Sequence, residues 1–81
     1  MDSIKLHILS PEGTLVEKTV SLVTLPGMKA PFTVLPGHAA IVTALVQGNV
    51  RYVSGDKEEL LPIKEGFAMV KDNLVTVCVE V

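Results

Sequence analysis

Two histidines, one cysteine and a knot of carboxylates are the side chains in these 81 residues with the means to do chemistry. His38 follows Pro36-Gly37, where an exposed imidazole could act as base, metal ligand or contact residue. A base needs a nucleophile or a carboxylate converging on it, and none neighbours His38 in the sequence. His7 lies in an alternating stretch with no metal-ligand spacing to it. His38 therefore reads as a loop histidine that bonds a backbone carbonyl or contacts another chain. Cys78 shares a strand face with Thr76 and Glu80 and reads as a small, buried or half-buried side chain, since reactivity would require a cationic neighbour. Asp56, Glu58 and Glu59 cluster at a turn but lack the oxygen count and glycine placement of a calcium loop. The six glycines stand singly at turns, with no Gly-x-Gly-x-x-Gly and no glycine run leading to Lys-Ser or Lys-Thr, so nothing cradles a phosphate. No catalytic residue, cofactor or metal is therefore expected.

The element that positions His38 is the sharpest signal in the chain. Leu25-Pro26-Gly27 recurs ten positions on as Leu35-Pro36-Gly37. Proline fixes φ near about −65° and offers no donor, while glycine accepts positive φ, so each tripeptide ends a strand and turns the chain. Pro26, Gly27, Pro36 and Gly37 are thus expected to be structural. Met28 to Val34, between them, holds one lysine and no carboxylate, cysteine or histidine. That content suits presenting a surface better than running a reaction.

The rest of the chain predicts strands. Hydrophobic residues make up 48%, with only three aromatics, so the core must be built from Val, Leu and Ile, whose branching favours sheets. Ile4, Leu6 and Ile8 alternate with Lys5 and His7 before Ser10-Pro11-Glu12-Gly13 turns the chain. Extended stretches are then expected within Leu15 to Leu25, at Phe32 to Leu35, and at Ile41 to Val46, the last as a buried strand rather than a helix. Val50 to Ser54 and Lys57 to Ile63 form a hairpin about Gly55, with Pro62 pushing the second strand to an edge. Lys64-Glu65-Gly66 reads as a turn into Phe67 to Lys71, and Asp72-Asn73 as another. Leu74 to Val81 is the clearest strand, with Val75, Val77, Val79 and Val81 on a core face. This rhythm predicts one all-β domain over residues 1–81, an antiparallel sandwich or flattened barrel.

Charge excludes some partners. Seven Lys and Arg face nine Asp and Glu, with no basic stripe for nucleic acid. No segment reaches the roughly 20 apolar residues needed to span a bilayer, and Met1 to Lys5 lacks a signal peptide's charged and apolar regions, so neither nucleic acid nor direct membrane insertion is expected. A single cysteine fits a reducing, cytosolic setting.

Two resemblances bear on function. Met28-Lys29, perched between turns, is similar to the hairpin lysine of biotinyl and lipoyl carrier domains, which implies modification at Lys29, but Gly27-Met28-Lys29-Ala30-Pro31 matches only the Met-Lys dipeptide. The second covers essentially the whole chain. Ile8-Leu9-Ser10-Pro11-Glu12-Gly13, Leu25-Pro26-Gly27, Val34-Leu35-Pro36-Gly37-His38-Ala39, Leu45 with Gly48, and Gly66-Phe67, in that order, resemble the β-domain of the epsilon subunit of F-type ATP synthases.

That resemblance implies a flattened β-sandwich of about ten short strands, itself non-catalytic. It would bind the gamma subunit in the central stalk and rest on the polar loops of the c-ring, on the cytoplasmic side of the energy-coupling membrane. It places Met28, Lys29, Ala30, Pro31 and His38 towards the ring, and a sheet face with the terminal strand towards gamma. It also leads us to expect one exposed apolar patch where gamma docks. The family often has glycine at the places of Ala30 and Thr33, acidic or polar residues near Pro31, and proline at the place of Ala40, so the ring-facing loop here is stiffer and less acidic. Family members commonly continue into a carboxy-terminal helical hairpin that this sequence lacks. The inhibitory role of that hairpin is not expected of this chain, and the Met1 start favours a naturally short subunit.

Overall fold

The computed structural model describes residues 3–81; Met1 and Asp2, which the sequence reading includes in the domain, lie outside the described residues. Nine strands form two sheets: β1 (Ile4–Ser10), β2 (Gly13–Val20), β3 (Leu22–Leu25), β4 (Phe32–Val34), β5 (Ile41–Leu45), β6 (Gly48–Ser54), β7 (Lys57–Ile63), β8 (Glu65–Lys71) and β9 (Leu74–Glu80). The order is β2-β1-β9-β8-β5 in the five-stranded sheet and β4-β3-β6-β7 in the four-stranded one. The all-β sandwich expected from the strand rhythm is what the chain forms. All its described ladders are antiparallel except that between β1 and β9, which is parallel, with Leu6 opposite Val75 and Ile8 opposite Val77.

Local chemistry accounts for the turns. Asp72 and Asn73 both take positive φ, 52° and 61°, the geometry that twists a two-residue hairpin correctly and that Asp and Asn tolerate. Gly55 does the same with φ 61° between β6 and β7. The expected stretch Leu15 to Leu25 divides at Ser21, whose N–H and Oγ both donate to the Val53 carbonyl, at 2.8 and 3.1 Å. This clamp hands the chain from one sheet to the other, so one run of extended residues becomes β2 and β3. A bulge in β2 opposite Ile8 and Leu9 further bends that edge.

The core lies between the sheets and is aliphatic, as composition predicted. Ile4, Leu6 and Ile8 from β1 join Val20 from β2 and Val75, Val77 and Val79 from β9 on one side, and Val23, Leu25 and Val50 face them from across the sandwich. Tyr52 is buried, whereas Phe32 and Phe67 are not. Pro62 does lie on an edge strand, β7.

Three expectations are corrected. β5 is an edge strand rather than a buried one, and Val42 is 72% exposed, because β5 pairs with β8 alone and turns its even-numbered side chains outward. Gly66 is not in a turn but inside β8, where an added Cβ would sit 2.2 Å from the Cys78 carbonyl oxygen, so glycine there serves a close backbone approach. Val81 lies beyond β9 and is exposed instead of joining the core.

Candidate functional site

The first Leu-Pro-Gly corner is locked in place. The Gly27 N–H donates to the Leu25 carbonyl at 3.0 Å, closing a three-residue turn on Pro26. The Pro26 carbonyl accepts from the Val46 N–H at 2.9 Å, and the Met28 N–H donates to the Ala44 carbonyl at 3.0 Å, so the corner covers the carboxy-terminal half of the free β5 edge. Gly27 is buried without positive φ, and a Cβ there would stand 2.6 Å from the Ala30 carbonyl oxygen. Met28, Lys29, Ala30 and Pro31 then project into solvent from a buried base.

The second corner is a type II turn. The His38 N–H donates to the Leu35 carbonyl at 3.0 Å, Pro36 occupies the second position, and Gly37 the third with φ 84°. The Gly37 N–H donates to Asn73 Oδ1 at 2.8 Å, tying this corner to the β8–β9 turn. His38 is half-buried, against the exposed imidazole expected; its Nδ1 donates to the Ala39 carbonyl at 2.7 Å and its ring lies 6.3 Å from that of Phe32. The bonding of a backbone carbonyl agrees with the sequence reading.

The five residues expected to form one surface thus fall into two groups. Met28 to Pro31 sit at the end of β5, by Ala44 and Val46, whereas His38 precedes its start. About 13 Å of strand separates those ends. Phe32, leaning on His38, is the link between the groups along the β4–β5 edge.

A larger surface lies elsewhere; an exposed apolar patch on a sheet face is expected, but none of its residues is named from the sequence. On the outer face of the five-stranded sheet, register aligns side chains in rows: Val42, Met69, Thr76 and His7 in one, and Ala44, Phe67, Cys78 and Leu9 in the next. Phe67 and Met69 are about half exposed. Beyond the second row, Glu65 and Glu80 stand directly opposite one another; beyond the first, Lys71, Leu74 and Lys5 align. A groove of about 650 Å³ runs past Leu9, Pro11, Phe67 and Cys78 towards the two glutamates. The signal for this face was present, since Phe67 to Val70 and Ile41 to Leu45 are apolar at both parities, which a strand with one wet face would not be.

Two of the three carboxylates weighed for calcium are engaged otherwise. Glu58 pairs with Arg51, and Glu59 with Lys18 at 3.1 Å, while the Lys18 ammonium lies 5.9 Å from the centre of the Tyr52 ring. Burial, and then the charge of Glu59, raise the Tyr52 phenol above its ordinary range, with Lys18 partly opposing. Among the described residues no three His, Cys, Asp or Glu side chains gather as a metal site. No helix there is long and apolar enough to cross a membrane.

A sequence profile for the β-sandwich domain of the ATP synthase delta/epsilon chain matches residues 3–81. The ATP synthase epsilon chain of Lawsonia intracellularis is 40% identical over 78 residues, 96% of this chain and 59% of its own length. That of Magnetococcus marinus is 37% identical over 78 residues, 96% of this chain and 57% of its own. The chain therefore spans about three-fifths of the length of these relatives. Among solved structures, a chain of the Euglena gracilis mitochondrial ATP synthase (OSCP/F1/c-ring, rotational state 1) superposes with a TM-score of 0.89 at 26% identity, covering 98% of this chain and 51% of that one. A chain of the Tetrahymena thermophila mitochondrial ATP synthase central stalk and c-ring gives 0.82 at 14% identity, covering 98% and 64%, and attests the fold.

Proposed function

The chain belongs to the ATP synthase delta/epsilon family through its β-sandwich domain, and from that premise we propose that it is a non-catalytic rotor subunit of an F-type ATP synthase, joining the gamma subunit to the c-ring. In this role the β-sandwich acts as one rigid unit, peripheral to the membrane on its cytoplasmic side, passing proton-driven ring rotation to gamma and on to the catalytic head. The observation that carries the proposal is the family match over residues 3–81, with relatives named as epsilon chains at 40% and 37% identity.

The geometry supports a division of labour. The β4–β5 edge, with Met28, Lys29, Ala30, Pro31 and His38, rests on the polar loops of the ring. The outer face of the five-stranded sheet, with Val42, Phe67 and Met69, is the exposed apolar patch that takes gamma. A coupling element gains from surfaces that are ordered before binding, and the backbone bonds pinning both corners supply that order. A lasting interface needs about 1,000 Å² in total, a demand that a sheet face suits better than a single loop.

Size-exclusion chromatography with the cognate gamma subunit tests the reading. A one-to-one complex is expected, and a folded gamma that elutes apart from this chain would overturn it. A biotin or lipoyl mass on Lys29 in protein from the native host would instead favour the carrier function.

A further inference from the structure

The outer face of the five-stranded sheet is not only apolar; along β1, β9 and β8 its charges are sorted by end, with Glu17 of the outlying β2 opposite His7 between them. At one end Glu65 and Glu80 are cross-strand partners on the same side of the sheet, a like-charge juxtaposition that destabilises an isolated sheet. At the other end Lys71 and Lys5 flank Leu74. Among the described residues none of these four side chains makes an ion pair: Lys64, next in sequence to Glu65, bonds Glu80 only through its backbone N–H, and Asp72 pairs with neither lysine. Lys18 and Arg51 do find glutamates, Glu59 and Glu58, whereas the four charges at the ends of this face are left for a partner to meet.

Six strand positions separate Glu65 from Lys71, about 20 Å. That exceeds the Debye length of about 8 Å at physiological salt, so the two ends act on a partner independently. Charges at the rim of an interface chiefly set orientation and encounter rate, whereas the apolar middle holds the complex. We infer that this face is a polarised docking surface: its partner presents an apolar ridge with a basic residue over Glu65 and Glu80 and an acidic residue over Lys5 and Lys71, which fixes the partner's direction along the strands. The inference rests on the gamma reading above and adds the chemistry that gamma must carry.

Binding of the full-length chain to cognate gamma, titrated at low and high salt, tests it. Glu65→Lys/Glu80→Lys is expected to weaken binding about tenfold at 0.05 M salt, as is Lys5→Glu/Lys71→Glu, and both losses shrink towards nothing near 1 M salt, where the Debye length is about 3 Å. Wild type still binds there. Thermal melts confirm that each variant is folded. Either variant binding gamma like wild type at low salt, or more tightly, overturns the inference while leaving the gamma reading intact, as does a loss that salt does not diminish. No wild-type binding at any salt overturns both.

Discussion

At the first Leu-Pro-Gly corner proline and glycine are buried and glycine keeps negative φ; at the second both are exposed and glycine takes φ 84°. The first glycine is needed for want of space, since a Cβ would meet the Ala30 carbonyl oxygen at 2.6 Å. The second is needed for its dihedral, since a Cβ there would meet nothing within 4 Å. The same three letters thus encode a packing constraint in one place and a torsional one in the other. Steric exclusion by a backbone atom is hard to relieve, whereas a left-handed torsion has a bounded cost and polar residues that tolerate it.

The contrast orders the predictions. Gly27→Val forces a branched side chain against backbone and should cost about 3 kcal/mol, a drop of roughly 15–20 °C in the melting temperature of so small a domain. Calorimetry finding it milder than the equivalent change at Gly37 would reverse the comparison. Gly37→Val should cost about 2 kcal/mol, and Gly37→Asn less than about 1, because Asn accepts the same φ. Equal losses for Val and Asn would show that space, not torsion, governs this corner too. Asn73→Ala removes the acceptor for the Gly37 N–H and puts a less tolerant residue at φ 61°, for about 1.5 kcal/mol by urea denaturation. The smallest effect belongs to His38→Ala, within about 0.5 kcal/mol on folding, accompanied by weaker co-purification with the c-ring. A large thermal shift would make His38 a structural residue of the second corner.

Turns whose geometry rests on their own residues, such as Ser54 to Lys57 and Asp72-Asn73, were legible, and so was the core face of β9. Pairings set by distant partners were not. Nothing near β1 announces that its neighbour will be β9 in parallel, and nothing near Gly66 reports the approach of Cys78 from the next strand. The edge position of β5 was hidden because Ile41 to Leu45 is apolar on both faces, a pattern shared by buried strands and by strands awaiting a partner. Of the candidate site, the corners were visible as turns. An apolar patch was expected but its makeup was not legible, since its rows of Val42, Met69 and Thr76, and of Ala44, Phe67 and Cys78, exist only once three strands are in register.

The position of β9 bears on how the molecule is made. The ninth strand lies between the first and the eighth, so β1 and its β2 hairpin have no route to β8 until β9 arrives to bridge them. While a ribosome is still short of Leu74, the valines that fill the middle of the core are missing, and the five-stranded sheet exists only as separated halves with open edges. The hairpins β1–β2 and β6–β7 can form early from local contacts, but closure must await the whole span and then couple residues some seventy positions apart. Such a topology folds slowly and all at once, after the strands have left the exit tunnel, with a transition state dominated by long-range pairing.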